Sequence, residues 1–203
     1  MAIIDRMSLS RPLPLPSLPS DPVDAVLARG QSRFVYVLVP GLNDSGPEHW
    51  QSHWHAAHPS WLRMTQRQWS TPDLEGWLGA IRRRLAGQSK PAILIGHSMG
   101  ALAACTMACR QPSAVAAVML VAPAEPARFE LEEQVPDGRL PCPGVLVASH
   151  NDPLLRFSRA EYWAEAWGCR LADIGEAGHV NVESGHGPWP HGLRLLSELV
   201  DGL

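Results

Sequence analysis

The sequence predicts an α/β fold, with about six mostly parallel strands and helices on both faces of the sheet. Three observations carry this. Short apolar runs, several rich in Val, Ile or Leu, recur along the chain, as in strands buried on both faces. Helical patterns lie between successive runs, and such alternation implies crossover connections and a parallel sheet. The chain has 203 residues, 45% hydrophobic and 18% charged. That suits one globular domain with its own core and argues against a disordered or coiled-coil chain.

Residues 11–22 hold five prolines in twelve residues, a density that forbids a helix or a central strand. Residues 1–32 are therefore expected to form a flexible, Pro-rich tail, and residues 33–203 the domain. A Pro-rich ligand for an SH3-like partner is the lesser reading of the tail. Strands are predicted at 34–39, 62–66, 92–96, 116–122, 144–149 and 169–174. Helices are predicted at 48–58, 73–86, 99–110, 158–167 and 191–203. Pro72-Asp73 reads as a helix start and Gly87 as a stop. The stretch 123–143 carries Glu125, Glu130, Glu132, Glu133 and Asp137 and is expected to run over the surface.

Several function classes are excluded. The net charge is −3, from 17 basic and 20 acidic residues, and no basic stripe marks a nucleic-acid surface. No apolar run reaches the ~18 residues of a membrane span. The N-terminus lacks a basic region followed by a continuous apolar stretch, so no secretory signal is read. Cys105, Cys109, Cys142 and Cys169 form no Cys-x-x-Cys pair. They read as free thiols of a cytoplasmic protein, with Cys105 and Cys109 as buried packing residues. No cofactor is expected.

Gly96-His97-Ser98-Met99-Gly100 follows a predicted strand and opens a predicted helix. That is the setting of a nucleophile elbow, a sharp turn that exposes a serine hydroxyl. Glycines two residues to either side leave room for the turn. A serine nucleophile needs a base, and the base needs an orienting carboxylate. In this arrangement the chain order is serine, acid, histidine. Asp152 follows the fifth apolar run and His179 the sixth, so both reach the sheet edge that carries Ser98. Asp173 lies inside a strand pattern, and Glu176 is very close to His179 in sequence. His186 is a weaker base candidate. His97 points off the turn, and His150 has no obvious partner. The oxyanion donors are expected to be the N–H groups of Met99 and of Leu42, in the loop after the first strand. A strand order of 2-1-3-4-5-6 would bring those two loops to the topological switch, where open α/β sheets bind ligands.

The chain resembles the small serine hydrolases of the retinoblastoma-binding-protein-nine / YdeN-like family. Matching features run from about Phe34 onward. They include Pro40-Gly41 with Ser45-Gly46, His49-Trp50-Gln51-x-x-Trp54, Trp69-x-x-Pro72-Asp73-Leu74-x-x-Trp77, the elbow, and Ser149-x-Asn151-Asp152-Pro153. Most specific is Gly178-His179-Val180-Asn181-x-Glu183-Ser184-Gly185-x-Gly187-x-Trp189-Pro190. The resemblance implies a compact α/β-hydrolase fold without a large lid, and Ser98, Asp152 and His179 as a catalytic triad. Some relatives carry a Leu-x-Cys-x-Glu partner motif. Here the nearest string, Leu140-Pro141-Cys142-Pro143-Gly144, lacks the glutamate.

The expected activity is hydrolysis of a small carboxylic ester through an acyl-enzyme, rising with pH because a histidine base must be neutral. A thioester or amide substrate on the same triad is one alternative. A non-catalytic interaction protein that keeps the fold is another. Asn43 and Trp189 are candidate substrate contacts. The remaining tryptophans read as packing. His49 and His53, four apart, read as surface or supporting residues in preference to metal ligands.

Overall fold

The computed structural model describes residues 21–203. Six strands form one parallel sheet. They are β1 (Val35–Val39), β2 (Leu62–Arg63), β3 (Ala92–His97), β4 (Val115–Val121), β5 (Gly144–Ala148) and β6 (Arg170–Asp173). Their order is β2-β1-β3-β4-β5-β6, as the sequence predicted. Six helices accompany them: α1 (Pro22–Gly30), α2 (Trp50–Ala57), α3 (Leu74–Leu85), α4 (Met99–Arg110), α5 (Phe157–Trp167) and α6 (Pro190–Asp201). Among the described residues no helix is long and apolar enough to cross a membrane.

Alternation along the strands decides which helix lies on which face. Side chains of a strand point to opposite faces in turn. Val37, Val39, Leu94, Val118, Leu120 and Leu146 pack with residues of α3, α4 and α5, including Trp77, Ile81, Leu102 and Trp163. Their neighbours Tyr36, Leu38, Ile93, Ile95, Met119, Val145 and Val147 pack with α1, α2 and α6, through Leu27, Trp50, Trp54, Leu196 and Val200. Apolar residues on both registers leave a buried sheet with three helices on each side. β2 is the short exception. It covers two residues at the edge, and the ladder continues only through the Met64 N–H to the Leu38 carbonyl at 2.9 Å.

One expectation changes. Residues 22–30, expected within the tail, form α1. Asp21 caps it by accepting from the Val23 N–H at 2.9 Å, and Pro22 occupies the first helical turn. Proline is favoured there because its missing N–H has no helical partner to lose. Leu27 is buried, and its carbonyl accepts from the Tyr36 hydroxyl at 3.1 Å. The Arg33 guanidinium donates to the Leu203 carbonyl at 2.9 Å, tying the entry to β1 against the end of α6. The rest of the expected tail, residues 1–20, lies outside the described residues.

The acidic stretch 123–143 is pinned as well as exposed. Leu131, Val135 and Leu140 are buried against the α5 side of the core. The Trp167 indole donates to the Pro136 carbonyl at 2.7 Å. Its acidic residues Glu130, Glu132 and Glu133 remain exposed. Cys105 is buried as expected, whereas Cys109 is exposed, one position from the end of α4.

Candidate active site

All six strands run parallel, so their C-terminal ends share one edge. Five segments meet there: the turns after β1, β3, β4, β5 and β6. Winding reverses between β1 and β3, the position where open α/β sheets bind ligands. Gln51 ties the ends of these two strands together. Fully buried, its side-chain amide donates to the Val39 carbonyl at 3.3 Å and the Ile95 carbonyl at 3.1 Å. Its own oxygen accepts from the Ser45 hydroxyl at 2.6 Å.

Ser98 stands between the end of β3 and the start of α4 with φ 55° and ψ −121°. Such a backbone is costly for a residue with a side chain, by about 1–3 kcal/mol, and persists only where its surroundings enforce it. Here the Ser98 N–H donates to the Val121 carbonyl and the Ser98 carbonyl accepts from the Ala101 N–H, both at 3.0 Å. Space enforces the rest. A Cβ on Gly96 would lie 2.6 Å from Ala101 Cα, and one on Gly100 would lie 2.6 Å from the Pro40 carbonyl oxygen. Backbone occupies both places, so neither can yield.

The β1 turn leans against this elbow. A Cβ on Gly41 would sit 2.9 Å from Ser98 Cβ and 3.5 Å from the Met99 nitrogen. Leu42, next in the chain, is half-buried. Among the described residues neither the Leu42 nor the Met99 N–H has a hydrogen-bond partner in the protein. The turn that carries Leu42 and the elbow that carries Met99 thus touch through Gly41. The Trp77 indole steadies that turn by donating to the Pro40 carbonyl at 2.8 Å. Asn43, with φ 61°, donates its N–H to the Trp69 carbonyl at 2.9 Å and leaves its side chain exposed.

Asp152 and His179 come together as expected. His179 Nδ1 lies 3.0 and 2.9 Å from the two Asp152 oxygens. Both side chains are buried, at 8% and 2% exposure. With Nδ1 donating to the carboxylate, Nε2 is left as the acceptor. Among the described residues that atom is buried and has no hydrogen-bond partner. The His179 ring centroid lies 5.0 Å from that of His97, the residue before Ser98.

Neighbouring groups hold the histidine turn from several directions. The Ser149 hydroxyl donates to Asn151 Oδ1 at 2.7 Å and accepts from the Ala177 N–H at 2.8 Å. Asn151 Oδ1 also accepts from the Gly178 N–H at 2.6 Å. His97 Nε2 lies 2.8 Å from the His179 carbonyl. A carbonyl only accepts, so His97 carries its proton on Nε2. The Trp50 indole donates to the Val180 carbonyl at 2.9 Å. Val180 itself has φ 50°, a conformation that β-branched residues rarely adopt.

Burial keeps the supporting histidines neutral. It holds His97 well below the ordinary histidine value, with nearby His179 and His49 adding to the effect. It lowers His49 to about 4, with Arg63 contributing. Neither places a positive charge beside His179 at neutral pH. The lowering of His49 also has a stability consequence. Between pH 4 and 6.5 the unfolded chain binds more protons than the folded one, so stability rises with pH. The contribution is complete above 6.5 and lost as pH falls through 4. A lowering from 6.5 to about 4 corresponds to about 3 kcal/mol. Thermal unfolding should therefore show a midpoint that falls steeply over this window. His49→Asn keeps an acceptor for the start of α2, where His49 Nδ1 takes the Gln51 N–H at 3.2 Å. The fall should be clearly shallower in that variant, and an unchanged slope would clear His49 of the effect.

Trp189 is held mostly in the core, and His150 departs from expectation. Trp189 is 8% exposed, stacked on Trp54 at 5.7 Å and edge-on to Trp50 at 5.2 Å. It lies one aromatic layer behind the histidine turn because α6 begins there and turns the ring into the α2 side of the core. His150 has a partner after all. Its Nε2 lies 2.9 Å from Asp173 Oδ2, and its ring stacks on Phe157 at 3.9 Å. Asp173 also accepts from the Gly175 N–H at 2.9 Å, so it is engaged away from His179. His186 bonds to Ser184 at 3.3 Å and packs edge-on to Trp189. Gln51 and the Ser149–Asn151 pair carry no functional signal in the sequence beyond their place inside the motifs on which the resemblance rests.

Residues 36–198 match the family model described as serine hydrolase. No curated protein matches the chain. Among solved structures, the chain is similar to a protein of Pectobacterium atrosepticum described as a YdeN-like hydrolase. The two share 51% identity over 88% of this chain and 97% of that one, with a TM-score of 0.86. It is also similar to the ydeN gene product of Bacillus subtilis, at 19% identity over 83% and 99%, with a TM-score of 0.66. A third likeness is to Est1E of Butyrivibrio proteoclasticus, at 15% identity over 84% and 86%, with a TM-score of 0.58. The last two share the fold alone.

Proposed function

The chain belongs to the YdeN-like serine hydrolase family, and from that premise we propose that it cleaves small carboxylic esters with Ser98, His179 and Asp152 as a triad. The observation that carries the reading is the state of His179. Its Nδ1 is held by a buried carboxylate while its Nε2 is buried and, among the described residues, unpartnered, as a general base awaiting a hydroxyl proton requires.

The steps follow from the groups present. His179 Nε2 takes the Ser98 proton as the serine oxygen attacks the ester carbonyl carbon. Asp152 keeps the imidazole in the required tautomer and stabilises its positive charge. The N–H groups of Met99 and Leu42 receive the developing oxyanion. His179 then gives its proton to the departing alcohol, leaving an acyl group on Ser98. Water then gives a proton to the same histidine as it attacks the acyl carbon, and the histidine returns that proton to the Ser98 oxygen as the acyl–oxygen bond breaks and the acid leaves.

A fluorophosphonate probe tests the reading, because it reacts only with an activated serine. Intact-mass analysis should show one adduct on the wild-type protein, located to the peptide containing Ser98, and none on Ser98→Ala. A folded wild-type protein that takes up no probe would refute the proposal.

A further inference from the structure

A groove of about 510 Å³ opens beside the turn that carries Asp152. One wall is the segment 125–128, which follows β4. The other is Pro153 and Leu154 with the start of α5. Three hydrogen bonds join the walls to each other and to the triad carboxylate. The Glu125 N–H donates to the Leu154 carbonyl at 3.3 Å. The Arg128 guanidinium donates to the Pro153 carbonyl at 3.0 Å. The Leu154 N–H donates to Asp152 Oδ1 at 2.8 Å. The groove therefore shares its peptide floor with the carboxylate that holds His179.

Its charged lining groups are Glu125, Arg128, Arg156 and Arg159. Arg159 closes on Glu125 through two bonds at 2.8 and 2.9 Å and lies over the Tyr162 and Trp163 rings. That pair cancels its own charge. Arg128 and Arg156 are exposed, and among the described residues no carboxylate pairs with either. Two uncompensated guanidiniums thus flank the groove in a chain whose net charge is −3. A bulk excess of basic residues does not account for them. Planar guanidinium groups match carboxylates in a two-bond geometry.

We propose that this groove binds a carboxylate on the substrate, so that the preferred esters carry a negative charge a few bonds from the scissile carbonyl. The proposal deepens the hydrolase reading above and rests on it. Because the two arginines are exposed, the preference weakens as salt screens it.

Two ester series place the charge on either side of the bond. Mono-p-nitrophenyl succinate and glutarate, against neutral p-nitrophenyl butyrate, carry it on the acyl part. 4-Acetoxybenzoate, against phenyl acetate, carries it on the leaving part. In at least one series the charged ester should have a kcat/KM about tenfold above its neutral partner at low salt. R156Q should reduce that ratio, and R128Q/R156Q should bring it near one, the ratio being taken within each variant so that a change in neutral-ester turnover does not enter it. No preference in the wild-type protein, or a preference that survives in the double variant, would overturn the proposal. A second readout needs no turnover. Glutarate added to Ser98→Ala protein should shift the amide resonances of Leu154 and Arg156, and R128Q/R156Q in that background should abolish the shifts. Absent shifts count against the groove. Shifts seen together with a wild-type protein that cleaves no neutral ester support the groove and refute the hydrolase reading instead.

Discussion

Ser98→Ala should lower kcat on a neutral p-nitrophenyl ester by about a millionfold, and adding His179→Ala to it should cost little more. The expectation rests on the two groups acting as one unit. Without the Ser98 oxygen, His179 Nε2 has no proton to take. Without His179, the hydroxyl stays protonated and is a weak nucleophile. Removing the second partner therefore takes away almost nothing that still works. The fold should tolerate both changes. Alanine relieves none of the backbone geometry at 98, which Val121 and Ala101 hold through main-chain groups. A single variant within tenfold of wild type would place the nucleophile elsewhere. Single losses that multiply in the double variant would mean that the two residues act independently.

Asp152→Asn should lower kcat by about ten thousandfold while leaving KM within a few fold. The replacement keeps the shape and reverses the hydrogen-bond logic. An amide nitrogen facing His179 Nδ1 donates where the carboxylate accepted, which moves the imidazole proton to Nε2. The base then faces Ser98 with a donor and cannot take a proton. The loss of negative charge also removes what stabilises the imidazolium. Asp152 has a second duty, accepting from the Leu154 N–H at 2.8 Å. The asparagine oxygen can keep that bond, so the turn after β5 should hold its shape. A loss of less than tenfold would call for another orienting carboxylate. Asp173 is poorly placed to serve, since His150 and the Gly175 N–H already occupy it.

Much of this architecture is written in local pattern. Apolar runs such as Ala92–Ile95 and Val145–Val147 announce strands because every residue in them is buried. The elbow announces itself because Gly96 and Gly100 leave no alternative to glycine. The order of serine, acid and histidine then follows from which strands end at one edge. Other features were hidden for physical reasons. α1 sits behind a run of prolines, and only the helical preference for proline at a first turn separates Pro22 from the ones before it. Gln51 reads as one more polar residue on a helix until the carbonyls of Val39 and Ile95 are placed 12 and 44 positions away from it. The Trp50 indole finds its acceptor 130 positions along the chain. Trp189 follows His179 closely in sequence, yet sequence proximity does not say how deeply a ring is buried. Pairings across such separations depend on the completed fold, and no local window contains both partners.

The bonds from Ser149 and Asn151 to the Ala177 and Gly178 N–H groups have a mechanical meaning. They staple the turn of Asp152 to the turn of His179, so these two side chains ride on a common platform. Ser98 rides on another, made of the elbow and the β1 turn that leans on it. Aligning the machine then reduces to seating two rigid pieces against one another, with His97 as the pin between them through the His179 carbonyl. The segment 123–143 is fastened to the first piece at its start, where the Glu125 N–H and the Arg128 guanidinium donate to the Leu154 and Pro153 carbonyls. Past that clasp its exposed Glu130, Glu132 and Glu133 touch neither piece, so a change among them leaves the seating of the two undisturbed.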